Sequence, residues 1–542
     1  MVLQTTYNTI GTVGGFAPII LPDGEIILKL NTRGTCFPAR ADGYSTRSCF
    51  FQIRSFNNVD NKVLIDYSDG TGWHEYNLVQ NGSRTERIFR VNDSDDPATI
   101  TPNSADIYVR PNDGNGGEEF GIHFYQDLQD SAKIDTVDHY YEQEREIYIK
   151  FETPSKIQAI SFQNVVLLGI FPSLARLRNL VILELEFLPN LSAFENEAVN
   201  TLLKIVSLSF IGSTATTVPI WIKNSPITYL NLSSYITLSD ANHFNTEIIQ
   251  PFKTTLNILS LNKCNLNYQL PESFGEIVNL NTFSCKSMPA SENFKFPTDL
   301  SSLTSFKSLN ISDSNNFPFS EVKRYIQEVP STGKYLNIRT FGSTLTAVDL
   351  ILDTDDLSVT TFDASYGRWN DGIPPSCINQ MKVLETLVIY GSYNYSVYSG
   401  RFNLISWGDF SDATALREIN FRWQQKMDLT WPSWLVNLTS LKTFDCHASF
   451  ETLQKMNDLV DSIYAFVTAN AAITAGNTAF RTMNILTYRS ASPANSFRPS
   501  GIYQEPTEYI QGSANGTPTT SLEKVWVLTH QYEHIWTLKP EQ

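Results

Sequence analysis

The sequence predicts an α/β solenoid of about thirteen coils, built from parallel strands and short helical turns, preceded by an all-β sandwich. Three observations carry this. An apolar pattern recurs every 22 to 39 residues across most of the chain, apart from one double-length gap. A proline marks a fixed phase ahead of many copies. The first 150 or so residues lack the repeat and alternate instead like antiparallel strands.

The pattern is L-x-x-L-x-L, with other apolar residues allowed. It is met by Leu180, Leu183 and Leu185, by Ile227, Leu230 and Leu232, by Leu256, Leu259 and Leu261, and by Leu384, Leu387 and Ile389. A third copy reads as Ile205, Leu208 and Phe210. Ile157, Ile160 and Phe162 form the first copy, and Phe480, Met483 and Ile485 the last. A degenerate copy around Leu336 and Ile338 fills the one double-length gap. The period is that of leucine-rich repeats, in which each unit cannot bury its apolar face alone and stacks on its neighbours. Pro172, Pro219, Pro271, Pro297, Pro375 and Pro432 stand eight or nine residues before strand starts, as expected at the first turn of a short helix. Each coil buries about three strand side chains, at roughly 1.5–3 kcal/mol each.

The copies depart from the leucine-rich pattern at one place. The bend residue three beyond the last strand apolar is usually Asn or Cys. Here it is Cys264 once, and Ser314, Met288 or Gly367 elsewhere. Other groups must therefore satisfy the backbone at those bends.

The expected organisation is a sandwich over 1–152, the solenoid over 153–490 and an extension over 491–542. Sandwich strands are expected at 25–30, 50–53, 63–67, 107–109 and 147–151, separated by Asp23-Gly24, Asp69-Gly70 and Asn112-Asp113-Gly114 turns. In the extension, Lys524 to Leu538 alternates like a strand or hairpin, suited either to capping the last coil or to docking on a neighbour.

Composition narrows the function classes. The formal charge is -16, from 40 basic and 56 acidic residues. That opposes general binding to a phosphate backbone or to anionic lipid. No run of 18 apolar residues is present, so no membrane insertion is expected. Met1 to Leu21 has no basic start and no long apolar core, and is not read as a secretory signal. Six cysteines are too few for a disulfide scaffold, and none has zinc spacing. Cys264, Cys285, Cys377 and Cys446 read as small buried apolar residues, whereas Cys36 and Cys49 can pair across a turn.

Catalytic strings are scarce. His530-Gln531-Tyr532-Glu533-His534 matches H-x-x-E-H, but a strand would hold its histidines about 13 Å apart, too far to share a metal. Acidic loops at Asp93 to Asp96 and at Asp113 to Glu119 fit no calcium-loop spacing. The sequence thus implies no catalytic residues, no metal and no cofactor.

Binding has two candidate locations. The residue between the inner apolar strand positions is polar in nearly every coil, including Ser260, Asn310, Asn337, Asp363 and Asn420. Stacked about 4.8 Å apart, these form a ladder that is either a solvated sheet face or a groove for glycan or protein. The second location is the aromatic-rich stretch 366–434, with an insertion from Tyr390 to Phe410. Tyr390, Tyr393, Tyr395, Tyr398, Trp407 and Trp423, with Asn420 and Asp363, are the candidate ligand-binding residues, and core packing is the competing reading of the insertion.

Val63-Leu64-Ile65-Asp66-Tyr67-Ser68-Asp69-Gly70-Thr71, with the later His139-Tyr140-Tyr141, resembles the signature of a PKD-like sandwich. A PKD-like sandwich feeding a leucine-rich solenoid resembles the BspA-like surface proteins of Bacteroidota. Those carry export signals. A protein of this type in which no export signal is read implies a non-enzymatic virion protein of a Bacteroidota phage, crass-like phages included, since phages leave by lysis and need no export signal. A tail appendage or host-recognition component is expected, in contact with other virion proteins or copies of itself and with a host surface glycan or protein. A bacterial cell-surface adhesin and an intracellular scaffold are the alternatives.

Overall fold

A computed structural model of the chain describes residues 26–33, 50–55, 61–66, 72–81, 84–87, 144–163, 168–186, 190–197, 202–209, 215, 217–234, 238, 240–314, 316–340, 351–367, 373–391, 407–421, 432–445, 453–470, 482–484, 505–508, 516–532 and 535–536. The chain divides into two compact units, Met1–Asn265 and Leu266–Gln542.

The first unit opens with antiparallel strands: β1 (Ile26–Arg33), β2 (Phe50–Ser55), β3 (Asn61–Asp66), β4 (Trp73–Asn81), β5 (Arg84–Arg87) and β6 (Glu144–Phe151). β6 lies between β1 and β3, with Leu30 opposite Ile147 and Ile65 opposite Ile149. Leu30, Val63, Ile149 and Phe151 are buried there. The strand expected at 107–109 lies outside the described residues. β4 and β5 are not in the sequence reading, because their polar alternation hides the period.

Parallel strands follow in the same unit: β7 (Ile157–Gln163), β9 (Ile182–Glu186), β11 (Ile205–Ser209), β12 (Tyr229–Ser233) and β13 (Ile258–Ser260). A separate parallel pair joins β8 (Leu168–Phe171) to β10 (Asn190–Phe194). β2 runs antiparallel along β7, so the β-rich start and the first coil share one sheet. Leu180, Leu183, Leu185, Ile227, Leu230, Leu232, Leu256, Leu259 and Leu261 are fully buried.

One frame is corrected. Ser207, not Ser209, pairs with Asn231, and Val206 and Leu208 align with Leu230 and Leu232. The third copy is therefore Leu203, Val206 and Leu208, all fully buried. Adjacent apolar residues Ile205 and Val206 make two frames equally hydrophobic by sequence. The true one gives repeat spacings of 23 and 24 residues on its two sides.

The second unit continues the same logic with β14 (Thr282–Ser284), β15 (Ser308–Asn310), β16 (Lys334–Asn337), β17 (Val359–Asp363), β18 (Thr386–Val388), β19 (Glu418–Asn420), β20 (Thr443–Asp445), β21 (Thr482–Asn484) and β22 (Ile535–Trp536), each parallel to the next. All thirteen expected repeat strands are present across the two units. The fold of the repeat region is the leucine-rich repeat solenoid.

The prolines act as caps rather than first-turn residues. Pro219 caps α1 (Ile220–Lys223), and Pro271, Pro375 and Pro432 cap 3-10 turns at Glu272–Glu276, Ser376–Gln380 and Ser433–Asn437. In each 3-10 turn the third residue donates to the proline carbonyl, as Phe274 does at 2.9 Å. Pro172 and Pro297 are followed by turns alone. In the first unit, α2 (Ala241–Phe244) runs through a π turn at Asn245–Ile249 into α3 (Gln250–Phe252). Pro251 lacks the N–H that a regular helix would need at this point.

α4 (Phe319–Glu328) explains the degenerate copy. Lys334 occupies an inward strand position with no exposed surface. Its ammonium donates to the Tyr325 and Ile326 carbonyls at 3.1 and 2.5 Å, at the C-terminal end of α4. A cation therefore replaces an apolar residue where a helix leaves carbonyls without partners.

α5 (Leu453–Ala469) and α6 (Ser521–His530) complete the unit. The strand expected from Lys524 is corrected to a helix. Thr520 accepts from Glu523 N–H, and Glu523 reaches back to Thr520 N–H, a complete capping box. Val525, Val527 and Leu528 are buried, and Lys524 pairs with Asp461 of α5. The strand argument against H-x-x-E-H thereby falls. His530 instead stacks on Trp526 and its Nδ1 lies 3.0 Å from the Trp526 carbonyl. Glu533 and His534 lie outside the described residues.

Candidate functional site

The bends after the strands decide which side chains are free. Ser234, Lys263, Ser287, Asp313, Thr340 and Tyr366 all adopt left-handed backbone, with φ between 55° and 61°. Each stands two residues beyond the last inward apolar residue. The N–H of each of Ser287, Asp313, Thr340 and Tyr366 donates to a carbonyl of the following coil at 2.7–2.8 Å. The bond that asparagine would supply is made otherwise. Ser314 Oγ donates to the Cys285 carbonyl and accepts from Met288 N–H, while in the first unit Cys264 Sγ donates to the Leu232 carbonyl.

Much of the polar ladder also serves the backbone. Asn310, Asn337 and Asp363 each accept the N–H two residues ahead, at 3.1, 3.0 and 2.9 Å. These are Asx turns that end the strands. In the first unit Asn231 donates to Ser207 and accepts from Ser233.

What remains on the strand side of the second unit is a contiguous run. The Arg339 guanidinium lies 4.4 Å over the Tyr366 ring. Tyr366 meets Tyr390 edge-on, with ring centres 6.4 Å apart. The Tyr390 hydroxyl accepts from Asn420 Nδ2 at 3.2 Å. Asp363, Val388 and Asn420 are in register on β17, β18 and β19. Arg339 is exposed, Tyr366 and Tyr390 are half-buried, and Asn420 is buried. No hydrogen bond to the Arg339 guanidinium occurs among the described residues, and the buried Asn420 Oδ1 has no hydrogen-bond partner.

Of the expected ligand residues, Tyr390, Asn420 and Asp363 come together here. Trp407 does not. It is 6% exposed and packs edge-on against Phe421 at 5.6 Å. Phe410 stacks on Phe421 and meets Trp434, whose Nε1 donates to the Gly408 carbonyl at 2.7 Å. Gly408 is left-handed and a Cβ there would lie 3.2 Å from Pro374. This end of the insertion is core because its rings fill the coil beside Phe421. Tyr393, Tyr395, Tyr398 and Trp423 lie outside the described residues.

Arg339 and Tyr366 are absent from the expected ligand set. Their signal is positional: both lie just past the strand, at the bend, in successive coils. Buried carboxylates elsewhere support the fold. Glu247 accepts Val218 N–H and pairs with Lys223, Glu321 accepts Phe296 N–H, and Asp356 accepts Ser358 and Val359 N–H.

No protein-family model matches the chain, and no curated protein matches it in sequence. Solved structures do resemble it. The PEPR1–AtPEP1 structure is 15% identical with a TM-score of 0.30, over 54% of this chain and 38% of that chain. A leucine-rich repeat protein of Leptospira interrogans is 17% identical with a TM-score of 0.25, over 52% of this chain and 84% of that one. An internalin from Listeria monocytogenes is 13% identical with a TM-score of 0.31, over 62% of this chain and 83% of that one.

Proposed function

We propose that the chain is a non-enzymatic recognition protein that holds its ligand on the strand side of the second unit. The observation that carries this is the run Arg339–Tyr366–Tyr390–Asn420. It combines an exposed guanidinium that makes no hydrogen bond among the described residues with two half-buried tyrosines. Tyrosine and arginine give large rigid contact area with polar handles, and they concentrate where binding energy resides. The use of Glu247, Glu321 and Asp356 on main-chain N–H groups favours binding over acid–base chemistry. The test is direct binding of the chain to a panel of surface glycans and peptides. A ligand whose affinity falls at least tenfold in Tyr390→Ala supports the reading; ligands indifferent to this run sink it.

The carrier we propose is a bacteriophage virion, with the chain as a tail-appendage or host-recognition component, on the resemblance of its sequence to BspA-like surface proteins. A bacterial cell surface is the second reading, supported by the same resemblance. Immunogold labelling of the source culture separates them. Gold on phage particles supports the virion, gold on the envelope supports the adhesin, and purely cytoplasmic label rejects both.

A further inference from the structure

We propose that the Arg339–Asn420 run takes a carboxylated sugar, with the carboxylate on Arg339 and the hydroxyls toward Asp363, Tyr390 and Asn420; this rests on the recognition reading above. The Arg339 guanidinium carbon lies 4.4 Å over the Tyr366 ring, and its N–H donors make no hydrogen bond among the described residues. That fork matches a carboxylate bidentately, and a guanidinium held against a ring is already oriented for it. The chain carries a net charge of -16, so it repels polyanions at long range. A ligand with a single acid group among neutral hydroxyls meets the attraction at Arg339 without the repulsion.

The rest of the run fits hydroxyls. Asp363 keeps a carboxylate oxygen beyond the one that accepts Ser365 N–H. The Asn420 amide oxygen is buried without a partner beside the Tyr390 hydroxyl, an acceptor that a ligand hydroxyl would satisfy. Peptide recognition fits less well. The strands here are interior, with both edges paired, so no strand can be added. Val388 is the one aliphatic side chain among the ladder residues Asn337, Asp363, Val388 and Asn420, so these residues form no apolar socket for a side-chain anchor. From β16 to β19 is three strand steps, about 14 Å, which suits a short oligosaccharide.

The experiment titrates the full chain with sialylated and uronate-containing oligosaccharides, their carboxyl methyl esters, neutral oligosaccharides and acidic peptides. Expected are binding of at least one acidic sugar, at least tenfold weaker binding of its ester, and a loss at least as large in Arg339→Gln with unchanged melting. Arg339→Lys should recover only part of the affinity, because a point charge replaces the fork. Equal binding of acid and ester, or full affinity in Arg339→Gln, overturns the inference. So does binding confined to acidic peptides. Neutral sugar binding that Tyr390→Ala weakens overturns the inference but leaves the recognition reading standing. Wild-type chain that binds nothing in the panel overturns both.

Discussion

Ser314 Oγ donates to the Cys285 carbonyl at 3.2 Å, joining one bend of the second unit to the end of the preceding strand. The same oxygen accepts Met288 N–H. A hydroxyl thus performs both tasks that the repeat pattern gives to an asparagine amide. Ser314 is fully buried, so its loss removes a buried partner from two main-chain groups. Ser314→Ala should lower stability by about 1–3 kcal/mol. Urea unfolding measures it, and a change below about 0.5 kcal/mol would show that the bend is satisfied without the hydroxyl.

The left-handed bends give the opposite sign. Lys263 is exposed at φ 60°, where a side chain with Cβ is strained. Lys263→Gly removes that strain at the cost of greater freedom in the unfolded chain. A net gain of about 0.5–1 kcal/mol is expected by thermal or chemical unfolding. A loss would mean that the lysine makes contacts which its exposure does not suggest.

Leu259 stands at the middle inward position of its coil with no exposed surface. Leu259→Asp places a carboxylate among Leu230, Leu232, Leu256 and Leu261, where no partner waits. Loss of cooperative unfolding in the first unit is expected by calorimetry. An unchanged melting profile would contradict the register.

The strands are legible in the sequence because inward positions are mostly apolar, with Lys334 a departure, so L-x-x-L-x-L survives even with Phe, Val or Cys substituted. The frame at Ile205–Val206 is not legible, since two neighbouring apolar residues satisfy either frame until strand pairing chooses. α6 is misread for a related reason. Val525-Trp526-Val527-Leu528 looks like a strand, and the Thr520 to Glu523 cap that contradicts it is only two residues of signal. At the candidate site, Tyr390, Asn420 and Asp363 are legible as ladder and insertion residues. Arg339 and Tyr366 are not, because the bend that brings them together depends on left-handed backbone at non-glycine residues.

The buried thiols should be inert. Burial pushes the Cys377 thiol up to about 12, and Cys264 and Cys285 are equally enclosed. Alkylation requires thiolate and access. Mass mapping after alkylation at neutral pH should leave these three sites unmodified in the native chain and modified in concentrated guanidinium. Native labelling of Cys377 would show that its coil opens readily.

Lys334 should give stability an unusual dependence on pH. Burial lowers its pKa from 10.5 to about 8, against the opposing pull of Asp356. Below pH 8 both folded and unfolded chains hold the proton, and the folded state bears the full cost of the buried charge. Between pH 8 and 10.5 the unfolded chain binds more protons than the folded one, so this group's contribution to stability rises with pH. The rise is about 1.4 kcal/mol per pH unit, on the order of 3 kcal/mol across the window. Lys334→Met removes the titration. Urea midpoints measured from pH 7.5 to 10 should climb for the native chain relative to the variant. Parallel curves would mean that the two α4 carbonyls hold the ammonium charged throughout, as an ordinary lysine.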